Sequence, residues 1–157
     1  MNWTTQLRLI DMMRAGGHSN PEVMSVITAV EMLTMFTPDY VVRNHSPEDC
    51  QAFLAEWEVH FLRRNVMDFR AQLGAMISHD IYRDQDGSIQ DTVNRIKAKT
   101  LVIVEREDHQ VNPKPAIEFA GLAKSELHVI AGDCGHPGSS LCYQDTVKML
   151  VAEFLGR

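Results

Sequence analysis

Apolar residues recur at intervals of three and four through the first half of the chain, a spacing that places them on one face of a helix. This spacing and the signals at helix ends predict four helices, three of which cover residues 3–15, 46–62 and 66–77. The second helix in chain order begins after Asn20 as its cap and ends at Thr37-Pro38. A short unassigned segment around Tyr40 joins the second helix to the third. The chain up to residue 80 is therefore predicted to be almost wholly helical.

Two short apolar runs change the pattern in the second half. Residues 100–104 and 127–131 are runs of strand length bounded by polar turns, and residues 113–123 between them have helical spacing. A strand, a helix and a strand in this order form a parallel pair with a right-handed crossover. A turn at Asp86-Gly87 and helices at 88–96 and 145–154 complete the prediction, which is that of an α/β region.

Side chains with complementary chemistry follow the two predicted strands. Asp108 lies in the charged turn after the first strand, and His136 ends the segment 132–136 after the second. Both strands end at the same edge of the sheet, so we expect these two residues to be neighbours. A carboxylate can fix the tautomer of an imidazole and stabilise the imidazolium that forms when the ring takes a proton. Asp108 is thus the candidate orienting acid and His136 the candidate base.

Structural explanations compete for the residues of both loops. Glu105 and Glu107 share the charged turn with Asp108. For each of the three carboxylates the alternative is a solvated surface charge. The distance past the strand favours Asp108. His109 is interpreted as an exposed loop residue, and a purely structural role is the alternative for His136.

Neither a metal site nor a nucleophile is predicted in this region. The side chains of zinc-ligand type follow no known spacing of zinc ligands; they are Cys134, Cys142, His128 and His136. We therefore expect no metal and no cofactor. Ser139 and Ser140 lack the strained strand-to-helix turn that exposes a nucleophilic serine.

Composition excludes several classes of partner. The chain has 157 residues and a formal net charge of −6, which disfavours nucleic acid and anionic lipid because phosphate binding needs clustered Lys and Arg. No apolar run approaches the length of a membrane span, and the amino terminus lacks the basic start and apolar core of a signal peptide. Cys50, Cys134 and Cys142 are too few and too irregularly spaced for a disulfide framework, and their odd number suits a reducing compartment, so a cytoplasmic location is predicted.

The order of the candidate residues resembles a known superfamily. In α/β hydrolases the nucleophile comes first along the chain, then the acid, then the histidine. Here the last two are present, but no G-x-S-x-G segment occurs. The chain looks like the carboxyl-terminal part of an α/β-hydrolase-fold enzyme: residues 1–85 as a helical cap or lid, and residues 86–157 as the core portion with a parallel strand pair and helices.

Several segments are similar to the homoserine O-acetyltransferase-like branch of these hydrolases. They are R-N-V-M-D-F-R-A-Q-L-G-A-M-I-S-H-D at 64–80, I-K-A-K-T-L-V-I at 96–103, E-D-H-Q-V-N-P at 107–113 and G-H at 135–136. The first has Ile77 where that branch has an acid. Pro137 follows His136 where the transferases have an Asp that contributes to recognising the homoserine amine, and this shifts the expectation toward a related hydrolase.

The resemblance implies a Ser-Asp-His mechanism on a small acyl substrate, with Asp108 and His136 as the catalytic residues of this chain. The nucleophile lies outside the sequence, so the chain alone is expected to be inactive. The alternatives are a homoserine O-acetyltransferase and a non-catalytic relative that acts as an interaction module. An isolated parallel pair would expose an apolar edge, so the expected partner is an amino-terminal half or a second copy of the chain.

Overall fold

The computed structural model describes residues 1–83 and 88–156. The turn predicted at Asp86-Gly87 lies outside the described residues. In chain order the elements are α1 (Asn2–Ala15), α2 (Asn20–Met35), α3 (Pro38–Asn44), α4 (Cys50–Phe61), α5 (Val66–Ser78), α6 (Ile89–Asn94), β1 (Leu101–Glu105), α7 (Lys114–Ala123), β2 (Glu126–Ile130) and α8 (Gln144–Leu155). None of the described helices is long and apolar enough to cross a bilayer.

The chain divides into two compact units. The first unit comprises Met1–Leu33 and Val41–Asp80, and the second comprises Thr34–Tyr40 and Ile81–Arg157. The second unit therefore includes a short segment from the first half of the sequence, which no local pattern in the sequence predicts.

The first unit has an all-helical core in which α1 packs against α5. Its fully buried apolar side chains come from α1, α2 and α5, and they include Ile10, Val23, Met24, Ile27 and Leu73. Burial of each such side chain contributes roughly 1.5–3 kcal/mol. Asn65 caps α5, since its side-chain oxygen accepts hydrogen bonds from the backbone N–H groups of Met67 and Asp68.

The start of α2 differs from the prediction. Asn20 is not the cap: Ser19 occupies that place, and its backbone N–H and hydroxyl both donate to the Glu22 carboxylate, at 2.7 and 2.6 Å. The Asn20 side chain instead bonds the start of α5, where its amide donates to Arg64 O and its oxygen accepts from Val66 N. Ser and Asn have similar preferences for the cap position, so residue type does not distinguish position 19 from position 20.

A short helix, α3, occupies the segment that the sequence left unassigned. The hydroxyl of Thr37 accepts a hydrogen bond from Tyr40 N at 3.1 Å, and Pro38 takes the first helical position, where its missing N–H costs nothing. Thr37-Pro38 thus ends α2 and also starts the next helix.

The second unit contains the predicted βαβ arrangement. Strands β1 and β2 pair in parallel, in a register that runs from Leu101 opposite Glu126 to Glu105 opposite Ile130. Helix α7, which connects them, contacts both strands, and α8 contacts β1. The predicted α/β arrangement is confirmed: a parallel strand pair with helices, preceded by a run of helices.

The small sheet is incompletely covered. Within the described residues β1 pairs with β2 alone, and the four apolar residues 101–104 are only half-buried. In β2, Leu127 and Val129 are each 36% exposed. Parallel sheets are normally covered on both faces and continue beyond two strands, so this pair has the character of one side of a larger sheet.

Candidate active site

Asp108 and His136 meet at the carboxyl edge of the two parallel strands. Asp108 follows β1, His136 follows β2, and His136 Nδ1 lies 2.9 Å from Asp108 Oδ2. The parallel crossover places the two loops on the same side of the sheet, so residues distant in sequence come within hydrogen-bond range. The structure thus brings together the two residues predicted as acid and base.

The Asp108 side chain is fixed on both of its oxygens. Oδ1 accepts hydrogen bonds from Gln110 N at 2.9 Å and Val111 N at 2.8 Å, which leaves Oδ2 to the imidazole. Burial by itself would raise the pKa of Asp108, but the bond with His136 and the bonds from Val111 and Gln110 hold that pKa below its ordinary value of 3.8. Asp108 therefore carries its negative charge next to the ring.

The backbone of His136 is held by a segment distant in sequence. His136 N donates to Met35 O at 2.8 Å, and the hydroxyl of Thr37 donates to Asp133 O. Gly135 has φ +81°, and a Cβ on it would lie 2.6 Å from Met35 O. Only glycine adopts this conformation easily and also allows so close an approach, which explains the glycine before the histidine.

Cys134 and Cys142 form a disulfide, and here the cysteine prediction was wrong. Their Cα atoms are 6.3 Å apart, within the range that a disulfide spans. The loop turns back after His136, and this reversal, which spacing along the chain does not reveal, brings the two residues together. Cys50 keeps an exposed thiol. The two cysteines that were considered as zinc ligands are therefore bonded to each other.

Glu105 is a site residue that the sequence did not single out. It is the last residue of β1 rather than part of the charged turn, and it is only 7% exposed. A Cβ on Gly138 would lie 2.6 Å from its Cδ, so the carboxyl lies directly against the backbone of the histidine loop. Burial, together with the charge of Asp108, raises the pKa of Glu105 above its ordinary value of 4.5. Its Oε1 is buried and has no hydrogen-bond partner among the described residues.

A cavity of about 280 Å³ adjoins the acid–histidine pair. Its lining includes Ile103, Glu105 and Ser139 as well as Asp108 and His136. Apolar side chains of β1, of the loop after it and of α7 line the cavity, together with the polar side chains of Glu105, Asp108, Asn112, His136 and Ser139. Such an arrangement suits a small substrate whose reacting carbon lies next to the ring.

The remaining candidates are not part of the acid–histidine contact. His109 is half-exposed and lies 3.8 Å from Glu107. Ser140 donates its hydroxyl to Pro137 O, and Ser139, in the same turn, lines the cavity. Over the described ranges 1–83 and 88–156, no group of three or more His, Cys, Asp or Glu side chains is arranged to hold a metal ion.

No protein-family model matches the chain, and no curated protein matches it either. Among solved structures, an acetylester hydrolase from Corynebacterium glutamicum is similar, with 20% identity and a TM-score of 0.81 over 99% of this chain and 49% of that one. A homoserine O-acetyltransferase from Bacillus anthracis is also similar, with 17% identity and a TM-score of 0.74 over 99% of this chain and 48% of that one. The chain therefore spans about half the length of these proteins and has the α/β-hydrolase fold of that half.

Proposed function

We propose that this chain is the acid- and histidine-bearing part of an α/β hydrolase that cleaves acyl esters or transfers acyl groups. The observation that carries the proposal is the 2.9 Å contact between His136 Nδ1 and Asp108 Oδ2 at the carboxyl edge of two adjacent parallel strands. The two similar structures act on acetyl esters or acetyl groups according to their names, which supports this chemistry. Asp108 and His136 are the proposed catalytic residues.

In the proposed mechanism Asp108 holds the ring with its Nδ1–H toward the carboxylate, so that proton transfer runs through Nε2. Nε2 takes the proton of a serine hydroxyl as the serine oxygen bonds to the acyl carbon. The ester C–O bond then breaks, and the leaving alcohol takes that proton from Nε2. Water repeats the sequence in the second half-reaction and releases the acid, whereas an acceptor alcohol in its place yields a new ester.

The nucleophile and the oxyanion-binding amides would come from an amino-terminal half. No G-x-S-x-G segment occurs in the sequence, and the similar proteins are about twice as long. We propose that this half pairs a further parallel strand with the outer edge of β1, where residues 101–104 are only half-buried. A second copy of the chain would be the alternative partner for this edge.

Hydrolysis is favoured over transfer to homoserine. Pro137 follows His136, and proline supplies no carboxylate to bind an ammonium group at that position. Transfer to another alcohol remains compatible with the site. The role of residues 1–85 as a cap and the cytoplasmic location stay predictions, and the Cys134–Cys142 disulfide is an argument against a permanently reducing compartment.

The proposal is tested with a hybrid in which this chain replaces the matching half of the Corynebacterium glutamicum acetylester hydrolase. We expect the hybrid to hydrolyse p-nitrophenyl acetate and His136→Ala to lower kcat/KM by on the order of 10³-fold or more, because triad members act as a unit. His109→Ala is the matched control, since His109 is half-exposed and lies outside the cavity lining; it should stay within about twofold.

A folded, active hybrid whose turnover survives His136→Ala would remove the histidine from the mechanism. Circular dichroism of each hybrid separates loss of chemistry from loss of fold. The chain alone should show no turnover above that of its own His136→Ala variant.

A further inference from the structure

The histidine loop, residues 132–143, is closed at its base. The Tyr143 ring lies against the backbone of Gly132, and the disulfide joins Cys134 to Cys142 just above this contact. His136 is therefore carried on a small covalent ring of nine residues, 134–142, whose closure depends on one S–S bond.

The two limbs of the histidine loop are held differently. The outgoing limb is bonded to residues 35–37 through His136 N and Asp133 O. In the described chain, the backbone hydrogen bonds of the returning limb run within the loop or into α8: Gly138 N to Gly135 O, Ser140 N and Leu141 N to Pro137 O, Tyr143 N to Gly138 O and Val147 N to Tyr143 O. Apart from the backbone itself, the disulfide is thus the covalent connection between the returning limb and the limb that bears the histidine.

The returning limb also forms part of the site. Gly138 lies against the Glu105 carboxyl, and Ser139 lines the cavity beside His136 and Asp108. A displacement of this limb would open the cavity on that side and expose Glu105 to water. Ser139 would then no longer line the cavity beside the imidazole.

The disulfide is open to attack from one side. Cys134 is fully buried, whereas Cys142 is exposed. We therefore expect a thiolate in solution to attack the sulfur of Cys142, with Cys134 as the leaving group. Structural disulfides in protein cores are shielded on both sulfurs, and exposed ones are the labile ones.

From this geometry we propose that the Cys134–Cys142 disulfide positions His136 and makes the acid–histidine pair sensitive to dithiol reductants. Reduction frees the returning limb, and the imidazole then leaves Asp108 for part of the time. The expected effect of reduction on turnover rests on the proposed function. The loop geometry and the measurements that test it do not.

The redox step balances with a dithiol as the co-reactant. One reductant thiolate attacks the Cys142 sulfur, the S–S bond breaks, and Cys134 leaves as a thiolate that takes up a proton. The second reductant thiol then displaces Cys142, which also becomes a thiol, and the reductant is left as a cyclic disulfide. Two electrons pass to the protein, and a disulfide oxidant reverses the reaction.

The first measurement counts thiols in the purified chain by alkylation and intact mass. Without reductant we expect one alkylated cysteine, Cys50, and after dithiothreitol we expect three. Three alkylated cysteines in protein purified and kept under air would show that the bond does not form, and would overturn the proposal.

The second measurement reads the histidine directly, by NMR of ¹⁵N-labelled histidine at about pH 8, where an ordinary imidazole is neutral. In the oxidised chain we expect the His136 ring, assigned by its loss in His136→Ala, to be the Nδ1–H tautomer that Asp108 selects. After reduction, and in Cys142→Ser, its tautomer signal should move toward that of His109. Amide exchange in residues 138–143 should speed up by tenfold or more.

Cys50→Ser is the matched control, because it removes the exposed thiol at the start of α4 and leaves the disulfide intact. It should retain the oxidised His136 signal and the response to reductant. An unchanged His136 signal in both the reduced chain and Cys142→Ser would overturn the proposal. Global loss of circular dichroism on reduction would also overturn it, since the bond would then maintain the fold rather than the histidine.

These outcomes separate the inference from the proposed function. A disulfide with no effect on His136 leaves the acid–histidine pair and its proposed chemistry standing. Turnover that survives His136→Ala removes the proposed chemistry and leaves the redox response of the loop standing.

Discussion

His136 Nδ1 lies 2.9 Å from Asp108 Oδ2, although 28 positions separate the two residues in the sequence. The α7 crossover makes this possible, because it returns the chain to start β2 alongside β1 and in the same direction. Each residue is also fixed from its own side: the Asp108 carboxylate by two backbone N–H groups, and the His136 backbone by Met35. The pair is preorganised in the chain itself, before any other segment is added.

Asp108→Asn should destabilise the chain near neutral pH and lose this effect in acid. The pKa of Asp108 is lowered in the folded protein, so its contribution to stability is present above the unfolded pKa, near 3.8. That contribution disappears as the pH falls through the folded pKa. Urea unfolding from pH 7 down to pH 3 measures it, with Glu107→Gln, an exposed carboxylate of the same turn, as control. A gap between wild type and Asp108→Asn that stays constant with pH would contradict the assignment.

Glu105→Gln should have the opposite dependence on pH. The pKa of Glu105 is raised in the folded protein, so its relative stabilisation is present below the unfolded pKa, near 4.5, and is lost as the pH rises through the folded pKa. At pH 7 the variant should therefore be more stable than wild type, and at about pH 4 the two should converge. The same urea titrations measure this difference. Equal stability at both pH values would show that the buried carboxyl has a partner for its charge.

Gly135→Ala should destabilise the second unit by at least about 1–3 kcal/mol, because alanine is strained at φ +81° and its Cβ would press on Met35 O. Gly121→Ala in α7 is the matched control: its Cβ meets nothing within 4 Å, and in a helix the change should stabilise by roughly 0.5–1 kcal/mol. Thermal unfolding followed by circular dichroism gives both signs. A Gly135→Ala protein as stable as wild type would contradict the close approach of Gly135 to Met35 O.

Leu73→Ala should cost about 2–5 kcal/mol, since Leu73 is fully buried in the first unit and truncation leaves a cavity. Leu33→Ala makes the same chemical change where the side chain is 79% exposed, and it should stay within roughly 0.5 kcal/mol of wild type. Denaturant midpoints of the two variants make the comparison. Similar costs at both positions would mean that the first unit is not packed around α5.

The isolated chain should associate with itself at raised concentration. β1 has one unpaired edge among the described residues, and Leu127 and Val129 on β2 are partly exposed. Sedimentation equilibrium should give an apparent mass above that of one chain, and this mass should rise with concentration. A stable monomer with cooperative unfolding would count against this prediction.

The sequence predicted the elements whose signals are local. β1, α7 and β2 follow from short apolar runs and helical spacing, and the parallel pairing follows from their order. Glu105 was missed because a charged residue at the end of an apolar run has the composition of a turn, whereas here it continues the strand and is covered by Gly138. Local composition does not show such coverage.

The other differences arise where two distant segments meet. The Asn20 side chain bonds the start of α5 rather than capping α2, and this contact is visible only once α2 and α5 are packed. The disulfide depends on the reversal of the chain after His136. The roles of Asp108 and His136 in catalysis stay predictions, although their contact is in place.

The backbone contact between Met35 and His136 limits how the protein can be divided. Residues 34–40 are flanked in sequence by the first unit yet fold with the second. A fragment that begins at Ile81 would contain Asp108, His136 and both strands, but it would lack the carbonyl that receives His136 N and the Thr37 hydroxyl that donates to Asp133 O. A truncated or grafted version of the site therefore has to retain Met35 and Thr37, at the junction of α2 and α3.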